Sequence, residues 1–301
     1  MSRIYGMAKM AYQVIRPFRE RQMAGRVCNY YKGSTDREVL EVLEYIKKNK
    51  TMKSFNYPFA EKYRHYRCLL RKDRKSGLFL TKYHGHRMYF SRDYFTSSAC
   101  VNYMRSILTE QDPESPHRYL TDSFDVDEGS VVVDAGVAEG NFSLDILEKA
   151  SRLILVECNR NWLEALEKTF AKEIAVGKVE IVPKLLGDHD DHSHVSIDYL
   201  YQKYGKIDFV KLDIEGGEEN ALRGGGKWMR DCPSAKLAVC AYHKPDAFHS
   251  IWQVLENQNL FHLSYTKGYM YFPAVIGDQP PYLRRGLIRA VRRQQVNRSY
   301  E

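Results

Sequence analysis

The stretch VVVDAGVAEGNFSLDILEKA, residues 131–150, decides how the rest of the chain is read. Val131 to Ala135 is a short β-branched run that ends at glycine, which marks a strand rather than a helix. Gly136 and Gly140 then let the backbone bend sharply and approach another group closely. From Asn141 to Ala150 the sequence reads as a helix whose N-terminus points back at the bend. In sheets built from such units, ligands bind outside the carboxyl ends of the strands.

The same rhythm repeats downstream. RLILVE (152–157) precedes the helical NWLEALEKTFAKE (161–173), and VEIVP (179–183) precedes SIDYLYQKY (196–204). IDFVKLD (207–213) precedes GEENALRG (217–224), and AKLAVCA (235–241) precedes PDAFHSIWQVLENQN (245–259). Alternation of this kind predicts an α/β fold with a mostly parallel, Rossmann-like sheet and helices on both faces. FHLSYT (261–266) and YMYFP (269–273) read as a terminal hairpin that adds one antiparallel strand.

Upstream the character differs. Residues 1–110 hold 23 Lys/Arg against 9 Asp/Glu, residues 111–280 hold 17 against 28, and residues 281–301 hold 6 against 1. We therefore expect a basic N-terminal accessory α+β lobe over 1–105, a catalytic domain over 106–280 and a basic tail over 281–301. Within the lobe, Thr35 with Glu38 resembles a capping box ahead of a helix, and LFLTKYHGHRMYFS (78–91) reads as a hairpin turning at His84-Gly85. Six cysteines form no metal-like spacing and read as reduced and intracellular. No segment reaches the roughly 18 apolar residues of a membrane span, and the first 20 residues do not read as a signal peptide. The expected location is cytoplasmic.

The strand tips suggest the cargo. Asp134 precedes the glycines, and the spacing is not the G-x-G-x-x-G that admits a pyrophosphate. Glu157, 23 positions on, ends the second strand, where a carboxylate can accept both ribose hydroxyls. A phosphate-free, positively charged nucleoside fits, and S-adenosylmethionine is such a molecule. Its expected contacts are Asp134, Gly136, Gly140, Asn141, Phe142, Glu157, Cys158 and Asp213, with Asp188 reaching the adenine amino group.

The segments DAGVAEGNFS (134–143), ILVECNRN (154–161) and DFVKLDIEGGEENALRGG (208–225) resemble the FkbM-like methyltransferases. SPHRY (115–119) and AYHKPDAFHSIWQVL (241–255) are similar to that family too, and the resemblance covers about residues 110–275. It implies a class I methyltransferase fold and O-methylation, often of natural products or cell-surface glycans. In one respect the chain departs from the family pattern. Between Asp188 and Ser196 it has only HDDHSHV, where the family carries an extra strand and a Gly/Ser-rich loop.

Methyl transfer from a sulfonium is an in-line displacement, and a neutral hydroxyl acceptor needs a base or a metal. Alternation along the fourth strand puts Lys211 and Asp213 on one face. His243, past the fifth strand, is the expected general base, with Asp213 as its orienting partner or substitute and Lys211 beside them. Glu215 and Glu218 could touch substrate or offer oxygens to a cation, or serve only as charges at a helix start. A required divalent metal is not expected, and the His189–His194 loop lacks the spacing of a zinc site. Tyr83, His84, His86, Arg87 and Tyr89 of the lobe hairpin suit a sugar, or else a Tyr-rich core. The basic termini could hold an anionic or lipid-linked glycan or a membrane surface, and the tail could dock on a second subunit in a homodimer. An RNA methyltransferase is the enzymatic alternative. Nucleic acid is not the expected partner, because no RNA-binding module is visible. A scaffold that binds the cofactor without turnover is the alternative from another class.

Overall fold

The computed structural model describes residues 18–272 and 279–293. A seven-stranded sheet forms its centre: β1 (Val131–Ala135), β2 (Arg152–Val156), β3 (Val179–Val182), β4 (Phe209–Leu212), β5 (Lys236–Cys240), β6 (Phe261–Tyr265) and β7 (Leu287–Arg292). The spatial order is β3-β2-β1-β4-β5-β7-β6. β1, β2, β3, β4 and β5 pair in parallel, and β7 runs antiparallel to both β5 and β6. A parallel sheet whose order reverses at β1, with one antiparallel strand slotted between the fifth and sixth, is the class I methyltransferase arrangement.

The partner of β6 is not the one the sequence suggested. Residues 261–265 pair with Leu287–Arg292, whereas Met270–Tyr271 joins Leu283–Arg284 in a separate two-stranded ribbon. A turn of two residues, Lys267 and Gly268, favours the nearer pairing locally, but β7 also fills the vacant edge of β5. The predicted tail is therefore built into the sheet as far as Arg292, and its residues 294–301 lie outside the described residues. Its arginines hold carbonyls: Arg289 donates to Tyr119 O and Arg118 O, Arg292 to Met229 O and Arg230 O, and Arg293 to Phe261 O. They support the fold rather than presenting a free basic surface.

Each face of the sheet has its own core. Val133, Ile154, Val210, Leu237 and Ile288 pack with Trp228, Leu200 and Ile251 on one side. On the other side Val132, Leu153, Phe209 and Ala238 share a cluster with Val42, Met88 and Met104 of the N-terminal segment. Alternate residues of each strand thus serve opposite faces, and the lobe acts as a cover for one of them. The helix Arg37–Asn49 buries Val39, Val42, Leu43 and Ile46, and its cap is Asp36 rather than Thr35. The hairpin Phe79–Tyr83/His86–Tyr89 turns at His84-Gly85 as read from sequence. Its aromatics dock the lobe: Tyr83 donates to Asp145, His84 contacts the same carboxylate at 2.8 Å, and the Tyr89 amide donates to Thr169. Among the described residues, no helix is long and apolar enough to cross a membrane.

Candidate active site

The carboxyl ends of β1, β2, β4 and β5 bring most of the expected residues together, in altered roles. Asp134 stands opposite Lys211 in the β1–β4 register, so both side chains rise on one face. Both are fully or almost fully buried. Lys211 Nζ lies 3.0 Å from Asp134 Oδ1 and donates to Gly136 O at 2.7 Å, while Ser143 Oγ donates to Asp134 Oδ2 at 2.7 Å. Burial works against the lysine charge, but Asp134 and Asp213 outweigh it, and its pKa is raised. Asp134 and Lys211 are thus an internal strut. Asp134 does not face a cationic ligand, and Lys211 has no free lone pair for chemistry.

The glycines serve the same joint. Gly136 has φ +72, and a Cβ on it would lie 1.8 Å from the backbone oxygen of Asp213. Its bareness lets the β4 tip press against the bend. Gly140, at φ +86, faces the ring of Phe170, which a Cβ would meet at 2.8 Å. Both glycines thus allow close approach of the protein's own backbone and core. Asn141 is buried, and Phe142 packs between Tyr119 and Phe209 in the interior, so its ring belongs to the core. Glu157 is held in place at the β2 tip, accepting from Ala138 N at 3.0 Å and Asn159 N at 2.7 Å. Cys158 beside it is exposed. Asp188 is exposed too, and its carboxylate engages His189 Nδ1 at 2.8 Å.

Asp213 is the hub. Tyr119 donates to its Oδ2 at 2.6 Å and Tyr242 to its Oδ1 at 3.0 Å. His117 Nε2 lies 3.6 Å and His243 Nε2 3.3 Å from its oxygens. Burial would raise its pKa, yet the His117 contact and the charges of His117, Lys211 and His243 hold it well below the usual carboxylate range. Burial pushes both phenols up, with Asp213 adding to it, so they remain donors. An acid this strongly stabilised is a poor proton acceptor.

His243 sits next to the hub with its side chain 3% exposed. Its Nδ1 lies 2.8 Å from Glu218 Oε1, and its Nε2 faces Asp213 and, at 3.8 Å, the exposed Glu215. Desolvation opposes the imidazolium, but Glu218, Asp213 and Glu215 raise its pKa above the ordinary histidine value. The orienting partner is therefore Glu218 as well as Asp213. Glu218 is buried and also accepts from the amides of Ile214 and Gly216, so it pins the loop between β4 and its helix while lying against the ring. Glu215 adopts φ +55, a strained value for a residue with a Cβ.

Sequence reasoning missed five acids and aromatics here. Tyr119 and His117 belong to SPHRY and Tyr242 to AYHK, two strings that carried the family resemblance, and a role could have been sought in them. Glu139 lies inside the glycine bend itself. It is buried, receives Tyr103 OH at 2.5 Å from the lobe, and is pushed up to about 7 by burial. Glu110, whose pKa burial also raises, faces His117 and Asp213 from the end of the lobe helix Ser97–Glu110.

Comparison with known proteins finds the following. Residues 168–261 match the family model described as the methyltransferase FkbM domain. That span holds Asp188, Lys211, Asp213, Glu215, Glu218 and His243, and it leaves out the glycine bend. Among solved structures, the FkbM methyltransferase of Methylobacillus flagellatus is 17% identical with a TM-score of 0.43, over 86% of this chain and 63% of that one. The chain thus spans less than two thirds of that relative's length. An rRNA methylase from Streptococcus thermophilus is 16% identical with a TM-score of 0.37, over 56% of this chain and 90% of that one. A precorrin-6y C5,15-methyltransferase from Geobacter metallireducens is 15% identical with a TM-score of 0.39, over 56% and 82%. No curated protein matches the chain. Through residues 168–261 the chain is similar to the FkbM methyltransferases, and the sheet around that segment has the class I methyltransferase order.

Proposed function

We propose that the chain is an S-adenosylmethionine-dependent O-methyltransferase acting on a hydroxyl of a sugar or a similar small acceptor. The observation that carries this reading is the Asp213 hub: a buried carboxylate at the β4 tip, fixed by two tyrosines and facing His243. The surroundings suit a cationic nucleoside. Lys211 is already matched by Asp134, which leaves Glu157 and Asp213 as carboxylates at the tips, with the buried Glu110 and Glu139 beside them held toward their neutral forms. Phosphates would be repelled there. Glu157 would hold the ribose hydroxyls, because its carboxylate is already aimed by two backbone amides. The bound cofactor supplies an activated methyl group on a sulfonium.

The chain's own residues do the rest. Tyr119 and Tyr242 fix Asp213, and Asp213 holds its charge beside the ring of His243. Glu218 places its charge 2.8 Å from Nδ1, and Nε2 is left for the acceptor side. His243 takes the hydroxyl proton, and the raised pKa sets when it can do so. A base must be deprotonated to act, so turnover should rise with pH along a limb centred above about 6.5, the ordinary histidine value. A limb centred below that value would contradict the assignment.

Two measurements test the proposal. Calorimetry should detect binding of S-adenosylmethionine and its demethylated product, and none of ATP or NAD. Heat from the phosphorylated ligands alone would overturn the cofactor reading. In His243→Ala, turnover at saturating acceptor should fall about 10²–10⁴-fold with cofactor affinity unchanged. Mass shifts of 14 Da in a glycan panel but not in RNA would support the acceptor class, and the reverse would favour the RNA alternative.

A further inference from the structure

We propose that Asp213, Glu218 and His243 form a binding site for one divalent cation. The three residues offer one ligand atom each within 4.8 Å of one another. They come from separate pieces of chain: the tip of β4, the start of helix Glu218–Arg223, and the turn after β5. Folding alone brings them together.

Two physical observations point to an ion. First, neither ring nitrogen of His243 has a hydrogen-bond partner among the described residues, although its side chain is 97% buried. Glu218 and Asp213 lie at ion-pair distance from those nitrogens but off the line of a hydrogen bond. Buried imidazoles without a partner are rare, because the desolvation is not recovered. A metal on one nitrogen would satisfy it.

Second, the charges do not close. Glu218 is 2% exposed and Asp213 16%, and the exposed Glu215 adds a third carboxylate 3.8 Å from the ring. Around the ring itself a single imidazole faces two largely buried carboxylates, with His117 Nε2 3.6 Å from Asp213 as the other imidazole nearby. A divalent ion with a neutral imidazole balances the two buried acids. The overlapping group His117, Asp213 and Cys240 is less suited, because His117 Nε2 already lies 3.1 Å from Tyr242 OH. Two carboxylates and one imidazole favour an ion of the Mn²⁺ kind, which accepts oxygen ligands with some nitrogen.

This deepens the proposed function and rests on it for the acceptor: the ion, rather than the free ring, would then draw in the acceptor oxygen beside the methyl group. The ligation itself stands apart from that chemistry, so it can be tested without cofactor or acceptor.

Mn²⁺ should be titrated into the chelator-treated full chain and free ion followed by electron paramagnetic resonance. One ion per chain is expected, with affinity weakened tenfold or more in His243→Gln and in Asp213→Asn. His189→Ala/His194→Ala, which removes the exposed His189–Asp191–His194 group, should bind as the unsubstituted chain does. Where a variant fails to fold, Mn²⁺ broadening of imidazole resonances in the unsubstituted protein decides: His243 should broaden first. No binding, binding lost only in the His189/His194 variant, or broadening confined to His189 and His194 each overturns the site. Mn²⁺ binding without S-adenosylmethionine binding would keep the cation site and sink the methyl-transfer reading. The reverse would do the opposite.

Discussion

Gly136→Ala should unfold the active-site edge and abolish cofactor binding. Two penalties add at this position. The left-handed φ of +72 costs a residue with a Cβ about 1–2 kcal/mol. The new Cβ would also lie 1.8 Å from the Asp213 backbone oxygen, and backbone cannot rotate away as a side chain can. Forcing the two strands apart adds a further ~1–3 kcal/mol. It also moves Asp213 away from Tyr119, Tyr242 and His243, which meet it within hydrogen-bond or ion-pair distance. Gly129→Ala is the control, since it shares a positive φ but has open space around it. Urea denaturation should show Gly136→Ala losing clearly more stability than Gly129→Ala. Equal losses would mean that the close contact of the β1 bend with β4 is not real.

Lys211→Met should be the second severe change. The side chain fits, but it leaves Asp134 buried against an apolar neighbour, with Ser143 as its remaining partner. Removing one member of a buried ion pair typically costs about 3–5 kcal/mol, because the other charge is stranded. The carbonyl of Gly136 loses its donor at the same time. Adding Asp134→Asn to Lys211→Met should restore part of the loss, since a neutral amide is easier to bury. Stability measured around the four-variant cycle checks this. Additive losses, with no recovery in the double variant, would show that the two residues do not act as a pair. A role for Lys211 in catalysis alone would leave stability untouched, so the same measurement separates strut from catalyst.

Much of this frame was legible in one dimension. β1 to β6 appear where their short apolar runs place them, and the helices between them start near the residues that the periodicity indicated. Alternation along K-L-D put Lys211 and Asp213 on one side of β4, and both do rise toward Tyr119. The cofactor candidates fared less evenly. Glu157 stands at its strand tip with both carboxylate oxygens on backbone amides, whereas Asp134 and Phe142 turned out to be interior. Periodicity reports which side a residue takes, but not how deep it lies or what covers it. The N-terminal segment supplies that cover here, with Tyr103 on Glu139 and Met88 and Met104 in the shared core.

The succession of strands and helices along the chain and the acids at the strand ends follow from the chain's own local pattern, since both depend on neighbours a few positions apart. The partner of β6, the neutralisation of Asp134 and the meeting of Tyr119, Tyr242, Glu218 and His243 around Asp213 were settled only by tertiary structure. Each of these joins residues distant in sequence, from His117 and Tyr119 to Tyr242 and His243, or from Phe261 to Arg292. Such pairings answer to which edge is vacant and which charge is buried, and those quantities exist only once the chain has packed.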